Sequence, residues 1–499
     1  MRGTISLLLI AGLSFAWPAY AGSAATGQQI DKALSAMWPA TQVTGRSYTP
    51  KPLSEMMRQE KVPGASIVVF HNGRIIYAKG FGVIEAARGR AVTPETLFQA
   101  ASISKPVTAT AALKLVEQDR LVLDQAVNAR LRSWRIPDSS AAEGQVVTLR
   151  QLLTHTAGLT VHGFPGYAAG APRPSLLQVL DGVPPANTSA VRIDQRPGLA
   201  WRYSGGGFTI AQLLLSDTTG EAFPALMQRL VLRPAGMRHS SYAQPLPDHL
   251  RKEAASGHRS DGSPIAGGYH IYPEQAAAGL WTTPSDLARW ALALTASFNG
   301  RGSGLLHHDT AVAMLTPGIG NWGLGISVVG EGKWLKFAHG GANEGYRANL
   351  VAFPRTGDGM VVMTNSDKGD ALFEPIMIAV GHALGWPDSE PRRIQPLADA
   401  AGQYSDALRT MLSQAAAGTC PADIMGDGLL KACREQIANM APALKAAGPI
   451  QSITFVMAEQ LNGDRFETYK VSFAAGPPSN WHIGALHGNK FDAVFSNGQ

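Results

Sequence analysis

The sequence predicts a mixed α/β (α+β) protein: an antiparallel sheet flanked by helices, with a helical subdomain, and then a small C-terminal α+β domain. Three observations predict this. Strand-like apolar runs lie near residues 65–78 and again near 346–364. The long region between them, about 120–300, is rich in glycine, proline and helical pieces, and a proline-rich stretch over 386–396 precedes the remainder. Strands from both ends of a segment, with helices between them, favour one sheet covered by helices.

The first elements follow from local patterns. Asn72-Gly73 lies between two apolar runs, 65–70 and 75–78, and Asn-Gly in such a setting predicts a hairpin. Apolar residues recur on one side of 104–118, which predicts a helix.

The later elements complete two domains. Strands at 346–353 and 360–364 and a helix at 371–384 end the first domain, which is predicted over 22–390. Residues 386–396 are interpreted as a linker, and the second domain is predicted over 397–499. Its expected elements are helices at 400–417 and 428–446 and strands at 452–457, 466–473 and 480–486.

The N-terminus predicts export. Arg2 precedes an apolar run over 5–16 and Ala19-Tyr20-Ala21, which together are typical of a secretory signal peptide over 1–21. We therefore expect a periplasmic or secreted protein with no membrane span after signal cleavage. The two cysteines, Cys420 and Cys433, are expected to form a local disulfide in an oxidising compartment.

Composition narrows the possible partners. The net charge of +6 over 499 residues is spread without a Lys/Arg block, so nucleic-acid binding is not expected. The run His307-His308-Asp309 invites a metal interpretation, but no further ligand cluster accompanies it, and a solvated loop is favoured. We expect neither a metal nor a cofactor.

The strongest chemical signal is Ser102-Ile103-Ser104-Lys105. If Ser102 opens a helix, Ser102 and Lys105 lie one turn apart on the same face. A serine hydroxyl becomes a good nucleophile when a base takes its proton, and a lysine amine can do so when desolvation keeps it neutral. The helix N-terminus also offers backbone N–H groups to a developing negative charge.

Five further motifs follow Ser102-Ile103-Ser104-Lys105 along the chain in a specific order. They are Leu152-Leu153-Thr154-His155-Thr156-Ala157-Gly158-Leu159, Pro197-Gly198, Trp201-Arg202-Tyr203-Ser204, Gly279-Leu280-Trp281-Thr282-Thr283 and His339-Gly340-Gly341. Over about residues 50–385 this set resembles the serine β-lactamase and penicillin-binding-protein superfamily. The similarity is to the branch of class C β-lactamases, D-alanyl-D-alanine carboxypeptidases, D-aminopeptidases and β-lactamase-like esterases. The resemblance implies a β-lactamase/transpeptidase-like fold.

The resemblance also implies roles. Ser102 matches the acylated nucleophile, Lys105 its base partner, and Tyr203 the tyrosine that relays protons to the leaving group and activates the deacylating water. His339-Gly340-Gly341 matches the third motif, on a strand beside the nucleophile. The backbone N–H groups of Ser102 and Ala342 resemble the oxyanion hole.

Other residues of the set carry weaker signals. His155 is expected to be a hydrogen-bonded loop histidine without a chemical role. Trp281 either lines the site or packs beneath it.

Two departures bear on the substrate. Many relatives have Tyr-x-Asn where this chain has Tyr203-Ser204-Gly205, so the amide that would hold a β-lactam side chain is missing. His339 stands where a lysine is common. Both departures argue against an efficient β-lactamase and leave acyl transfer intact.

The sequence therefore predicts an exported serine hydrolase that forms an acyl-enzyme on Ser102. Expected substrates are small peptides, amides or esters, including D-amino-acid and peptidoglycan-derived peptides, as in carboxypeptidases, aminopeptidases and esterases. Two alternatives stay open: a class C-like β-lactamase, and a catalytically weak cell-wall or penicillin-binding protein.

Overall fold

The computed structural model describes residues 21–86, 89–302, 305–398 and 400–497, which form two compact units. The first unit contains residues 21–37 and Lys51–Pro387, and the second contains Trp38–Pro50 and the chain from Asp388 onward. The predicted signal peptide lies outside the described residues except for residue 21. Within the described part of the chain, no helix has the length and apolar character needed to cross a membrane.

The two units contain fourteen strands and fourteen α-helices among the described residues. The strands are β1 Thr41–Val43, β2 Gly64–His71, β3 Arg74–Gly82, β4 Phe98–Gln99, β5 Trp281–Thr282, β6 Ser327–Val329, β7 Lys336–Asn343, β8 Tyr346–Phe353, β9 Asp358–Thr364, β10 Arg392–Ile394, β11 Ile450–Leu461, β12 Asp464–Phe473, β13 Ser479–His487 and β14 Lys490–Asn497. The helices are α1 Ala21–Leu34, α2 Leu53–Gln59, α3 Ser104–Glu117, α4 Leu149–Leu153, α5 Leu176–Asp181, α6 Gly205–Thr219, α7 Phe223–Met227, α8 Asp248–Arg251, α9 Gln275–Ala278, α10 Pro284–Phe298, α11 His308–Met314, α12 Phe373–Leu384, α13 Ser405–Ala416 and α14 Asp427–Ala447.

An antiparallel sheet of six strands, in the order β3-β2-β9-β8-β7-β6, forms the centre of the first unit. Its N-terminal hairpin turns at Asn72 and Gly73, whose φ angles are 49° and 76°. Glycine and asparagine adopt such left-handed angles at low cost. The predicted hairpin is therefore confirmed, as is the antiparallel sheet assembled from strands at both ends of the segment.

Both faces of this sheet are buried at its central strands β2, β9 and β8. Val68 and Phe70 of β2 join a large core with the helical region, whereas Ile67 and Val69 join a second core that includes Ile376 of α12. Successive side chains of a strand point to opposite faces, so one apolar run supplies both cores. Helices consequently lie on both sides of the sheet.

The helical insertion, α3 to α11, leaves the sheet after β3 and returns before β6. The short strands β4 and β5 pair with each other near its two ends, and the N–H of Ala100 donates to the carbonyl of Leu280 over 2.8 Å. This pairing holds the segment that follows β4, residues 101–105, against the segment that precedes β5.

The second unit contains a four-stranded antiparallel sheet in the order β11-β12-β13-β14, together with α13 and α14. Leu408 of α13, Leu444 of α14 and Ile483 of β13 lie in its core. Cys420 and Cys433 form the predicted disulfide.

The structure differs from the predicted second domain in two ways. Strand β14 was not predicted. The stretch interpreted as a linker contains β10, which pairs in parallel with β1, so residues 38–50 belong to the second unit and not to the predicted 22–390 domain. The pairing of β1 with β10 has no local signal, because these two short strands are defined by their pairing across most of the chain.

Candidate active site

The Ser102-Ile103-Ser104-Lys105 motif lies where a single 3-10 turn, Ala101–Ile103, continues into α3. Ala101 has a φ of 49°, and a residue with a side chain adopts such an angle at a cost of roughly 1 kcal/mol or more. Ser102 and Lys105 are one helical turn apart, and Lys105 Nζ donates a hydrogen bond to Ser102 Oγ over 3.0 Å. The structure thus brings together the two side chains that the motif predicts.

Ser104, the second hydroxyl of the motif, is buried and already engaged. Its Oγ donates to the carbonyl of Ala101 over 2.5 Å and accepts from the N–H of Leu280 over 2.9 Å. Ser104 therefore anchors the turn. Ser102 lines an open cleft and is the candidate nucleophile.

Lys105 lies beneath the cleft, with 2% of its surface exposed. Besides Ser102, its Nζ donates to the carbonyl of Ala277 over 2.9 Å. The Nζ lies 4.8 Å from the ring centroid of Tyr203 and 5.9 Å from that of Phe208. Burial disfavours the charged amine and lowers its pKa from 10.5 to about 7. A substantial fraction of the amine is therefore neutral near pH 7 and able to accept a proton.

Tyr203 lies immediately before α6, which Ser204 caps by accepting a hydrogen bond from the N–H of Gly207. Burial raises the pKa of the Tyr203 phenol well above its usual value, and a hydrogen bond with Ser102 partly opposes this. Tyr203 is therefore a neutral phenol at ordinary pH. It can pass a proton on while it receives another, whereas Lys105 is the better base.

Strand β7 carries the third motif. Gly341 packs directly on the turn that holds Ser102, since a Cβ there would lie 2.2 Å from the carbonyl oxygen of Ala100. Strand β6 pairs with β7 only from Lys336 to Ala338. Beyond Ala338 the same edge of β7 therefore has no strand partner among the described residues, and a substrate backbone could lie along it.

His339 of β7 is buried and neutral. Its Nδ1 donates to the carbonyl of Gly340 over 2.6 Å, which leaves Nε2 as an acceptor. Nε2 has no hydrogen-bond partner among the described residues. Burial and then the charge of Lys105 lower the pKa of His339 to about 3. His339 therefore supplies a neutral acceptor at the position where many relatives have a cation.

An open cleft of about 610 Å³ joins these groups. Its lining residues are Ser102, His162, Trp201, Tyr203, Trp322, Ser327, Ala338, His339, Gly340, Gly341, Ala342, Arg347, Ala348, Asn349, Asp370 and Phe373. The lining thus includes the four positions for which the sequence predicts substrate binding: His339, Gly340, Gly341 and Ala342.

Sequence reasoning assigned no role to ten of these lining residues, among them His162, Trp201 and Trp322. Trp201 stands two residues before Tyr203 in the motif Trp201-Arg202-Tyr203-Ser204, and His162 follows closely after Leu159, which ends another motif. Trp322 lies in a glycine-rich stretch without a motif. Its ring lies 5.5 Å from that of Trp201.

His155 supports Tyr203 from behind. Its Nδ1 accepts from the N–H of Ser204 over 3.1 Å, and its ring lies 4.3 Å from the Tyr203 ring. Burial, followed by the charge of Lys105, lowers the pKa of His155 well below its usual value. His155 is thus a hydrogen-bonded histidine that supports a neighbouring side chain, in agreement with the expectation from the sequence.

Trp281 and the stretch His307-His308-Asp309 lie outside the cleft. Trp281 is fully buried, with its ring 4.8 Å from Tyr269, and so packs beneath the site. His307-His308-Asp309 is exposed to solvent as expected, but it forms the start of α11 and not a loop. In the described part of the chain, no group of three or more His, Cys, Asp or Glu side chains could hold a metal ion.

Comparison with known sequences agrees with this architecture. Residues 51–383 match the sequence model of a family described as beta-lactamase. Esterase EstB of Burkholderia gladioli is 29% identical over 205 residues, which is 39% of this chain and 51% of that protein. The chain thus matches about half the length of this curated relative.

Solved structures share the fold. The crystal structure of SurE aligns with a TM-score of 0.55 at 21% identity, over 93% of this chain and 96% of that one. The D-alanine carboxypeptidase AmpC from Burkholderia cenocepacia aligns with a TM-score of 0.52 at 21% identity, over 67% of this chain and 96% of that one.

Proposed function

Because the chain belongs to the β-lactamase family of serine hydrolases, we propose that it hydrolyses small esters through an acyl-enzyme on Ser102. One observation carries this proposal: a buried lysine amine with a pKa of about 7 donates to the hydroxyl of a serine in an open cleft. A nucleophile beside a base of matched pKa is the arrangement that acyl transfer requires.

In the proposed reaction, neutral Lys105 takes the proton of Ser102 as Oγ bonds to the carbonyl carbon. The negative charge on the carbonyl oxygen is stabilised by the N–H groups of Ser102 and Ala342. Tyr203 gives its proton to the leaving group and is reprotonated from Lys105. In the second step a water molecule attacks the acyl carbon while Tyr203 takes its proton and passes it to Lys105. Lys105 returns the proton to Ser102 Oγ as the bond between Oγ and the acyl carbon breaks, and the acid is released.

The charge of the cleft favours esters over peptides with a free carboxylate. His339 is neutral because its pKa is about 3. Arg347 also lines the cleft, but its Nη1 already donates to Asp367 over 3.0 Å and to the carbonyls of Asn343 and Tyr346. A substrate carboxylate would therefore meet in Arg347 a cation whose charge Asp367 already balances, and its desolvation would be poorly offset. The name of EstB, an esterase, is consistent with this preference.

We also propose that the protein works outside the cytoplasm, in the periplasm or as a secreted enzyme. The disulfide between Cys420 and Cys433 supports this, because such bonds persist in oxidising compartments. Recovery of the disulfide-bonded chain in the periplasmic or culture fraction of cells expressing the full sequence tests the proposal. Recovery of the protein in the cytosol, with both thiols free, would contradict it.

Covalent labelling tests the nucleophile. We expect a fluorophosphonate to label the wild-type chain at Ser102, and Ser102→Ala to lose both labelling and p-nitrophenyl butyrate hydrolysis while it stays folded. The matched comparison is Ser104→Ala, which removes the neighbouring hydroxyl. If Ser102→Ala still forms an adduct and Ser104→Ala does not, the nucleophile is misassigned.

A further inference from the structure

A short segment over residues 160–164, which we call the wedge loop, caps the helix that follows Tyr203. The N–H groups of Gly205 and Gly206 donate to the carbonyls of His162 and Val161, each over 3.0 Å. These are N–H groups of the first turn of α6, which have no acceptor within the helix. The wedge loop is therefore tied to the helix that positions Tyr203.

The wedge loop is held in a strained conformation. Val161 has a φ of 63°, an angle that is a genuine outlier for a β-branched side chain. The hydroxyl of Ser204 donates to the carbonyl of Thr160 over 2.7 Å. Hydrogen bonds on both sides of Val161 thus hold the strained residue. Strain of this kind concentrates at functional sites.

The wedge loop also occupies the space beside Gly205. A Cβ on Gly205 would lie 2.9 Å from the ring of Phe164 and 3.0 Å from the carbonyl oxygen of His162. A larger side chain at position 205 would therefore displace the wedge loop. The surface on this side of Tyr203 is supplied by the wedge loop and not by residue 205.

His162 is the polar group that the wedge loop presents to the cleft. Its side chain is exposed, and its ring lies 4.9 Å from the Tyr203 ring. The neighbouring wall consists of the rings of Trp201 and Trp322. A ring nitrogen of an imidazole can donate or accept a hydrogen bond, so it can pair with one polar atom of an amide. A polar group placed beside apolar and aromatic side chains is a common source of specificity.

We propose that His162 determines specificity by hydrogen bonding an amide in the acyl group of the substrate. The favoured substrates are then esters of N-acylated amino acids, in preference to esters of plain alkyl acids. This inference rests on the proposed function, because it concerns the acyl group that Ser102 receives. The hydrogen bonds on both sides of Val161, together with the space left by the glycine at position 205, are what hold His162 at the cleft.

The test compares two esters of similar size, the p-nitrophenyl esters of N-acetylglycine and of butyric acid, on the full chain. The rate with Ser102→Ala is subtracted as background. We expect wild type to favour the N-acetylglycine ester and His162→Ala to lower the ratio of the two kcat/KM values about three- to tenfold, as for the loss of one hydrogen bond. His162→Gln keeps a donor and an acceptor and should restore part of the ratio.

The control is His249→Ala, which removes an exposed histidine of α8 that does not line the cleft; it should leave the ratio unchanged. Equal losses on both esters in His162→Ala would mean that His162 has only a structural role, and an unchanged ratio would mean that it does not contact the acyl group. Either result overturns the inference while the proposed function stands. If the wild-type chain hydrolyses neither ester, the proposed function fails instead.

Discussion

Replacing Lys105 with methionine should make the protein more stable and inactive. Methionine keeps a long apolar side chain but removes the amine. Burial lowers the pKa of Lys105 from 10.5 to about 7, and a difference of about 3.5 units corresponds to about 5 kcal/mol of destabilisation at low pH. The substitution also leaves the carbonyl of Ala277 without its donor, which costs about 1–3 kcal/mol. We therefore expect Lys105→Met to gain about 2–3 kcal/mol at pH 7.

The sign of the pH dependence follows from the direction of the shift. The pKa of Lys105 is lower in the folded protein than in the unfolded chain, so unfolding takes up a proton between about pH 7 and pH 10.5. The stability of the wild type therefore rises with pH across this window. The advantage of Lys105→Met should shrink by about 1.4 kcal/mol for each pH unit above 7.

Urea unfolding at pH 7, 8 and 9, followed by tryptophan fluorescence, measures this difference. Trp281 and Trp290 are buried in the first unit and report on its unfolding. The control is Lys114→Met, which removes a lysine from the same helix at a position paired with Glu117. A difference between Lys105→Met and wild type that stays constant from pH 7 to pH 9 would refute the assignment of a neutral, desolvated amine.

Two further predictions concern catalysis. Lys105→Ala and Tyr203→Phe should each lower kcat/KM on an ester by orders of magnitude, and the double variant should lose little more, because the two groups act in one proton relay; additive losses would contradict the relay. Gly205→Asn, which restores the amide of many relatives, should lower the thermal midpoint without creating turnover of nitrocefin, because the wedge loop fills that space. A wild-type kcat/KM on nitrocefin near ~10⁶ M⁻¹s⁻¹, well within the ordinary enzyme range, would contradict the argument against a β-lactamase.

The sequence predicted those parts of the fold that local chemistry determines. Asn72-Gly73 defines the hairpin because few other residue pairs adopt its angles. The α3 helix was predicted almost to its ends, 104–118 against Ser104–Glu117. Strand β1 was missed because three residues carry no periodicity, and its pairing with Arg392–Ile394 is visible only in the folded chain.

The candidate site likewise contains some residues that the sequence predicts and others that only the folded chain brings to the cleft. The pair Ser102 and Lys105 is predictable because a helical turn alone brings the side chains together. Tyr203 was found from the ordered motifs of the resemblance and not from any local rule. Trp322 and His162 reach the cleft through loops whose course depends on long-range contacts. Sequence reasoning therefore identified the proposed reacting groups and missed most of the wall that would select the substrate.

The basic groups of the site together explain why a proton taken from Ser102 would travel towards the leaving group. Once Lys105 is charged, it lowers the pKa of both His155 and His339, which burial already keeps low. Neither imidazole can then hold the proton at neutral pH. Tyr203, which is hydrogen-bonded to Ser102 and whose ring centroid lies 4.8 Å from Lys105 Nζ, is the neighbouring group that can accept a proton while it releases another. The two buried histidines thus favour the relay by remaining neutral, and a lysine at position 339 would place a second cation beside Lys105.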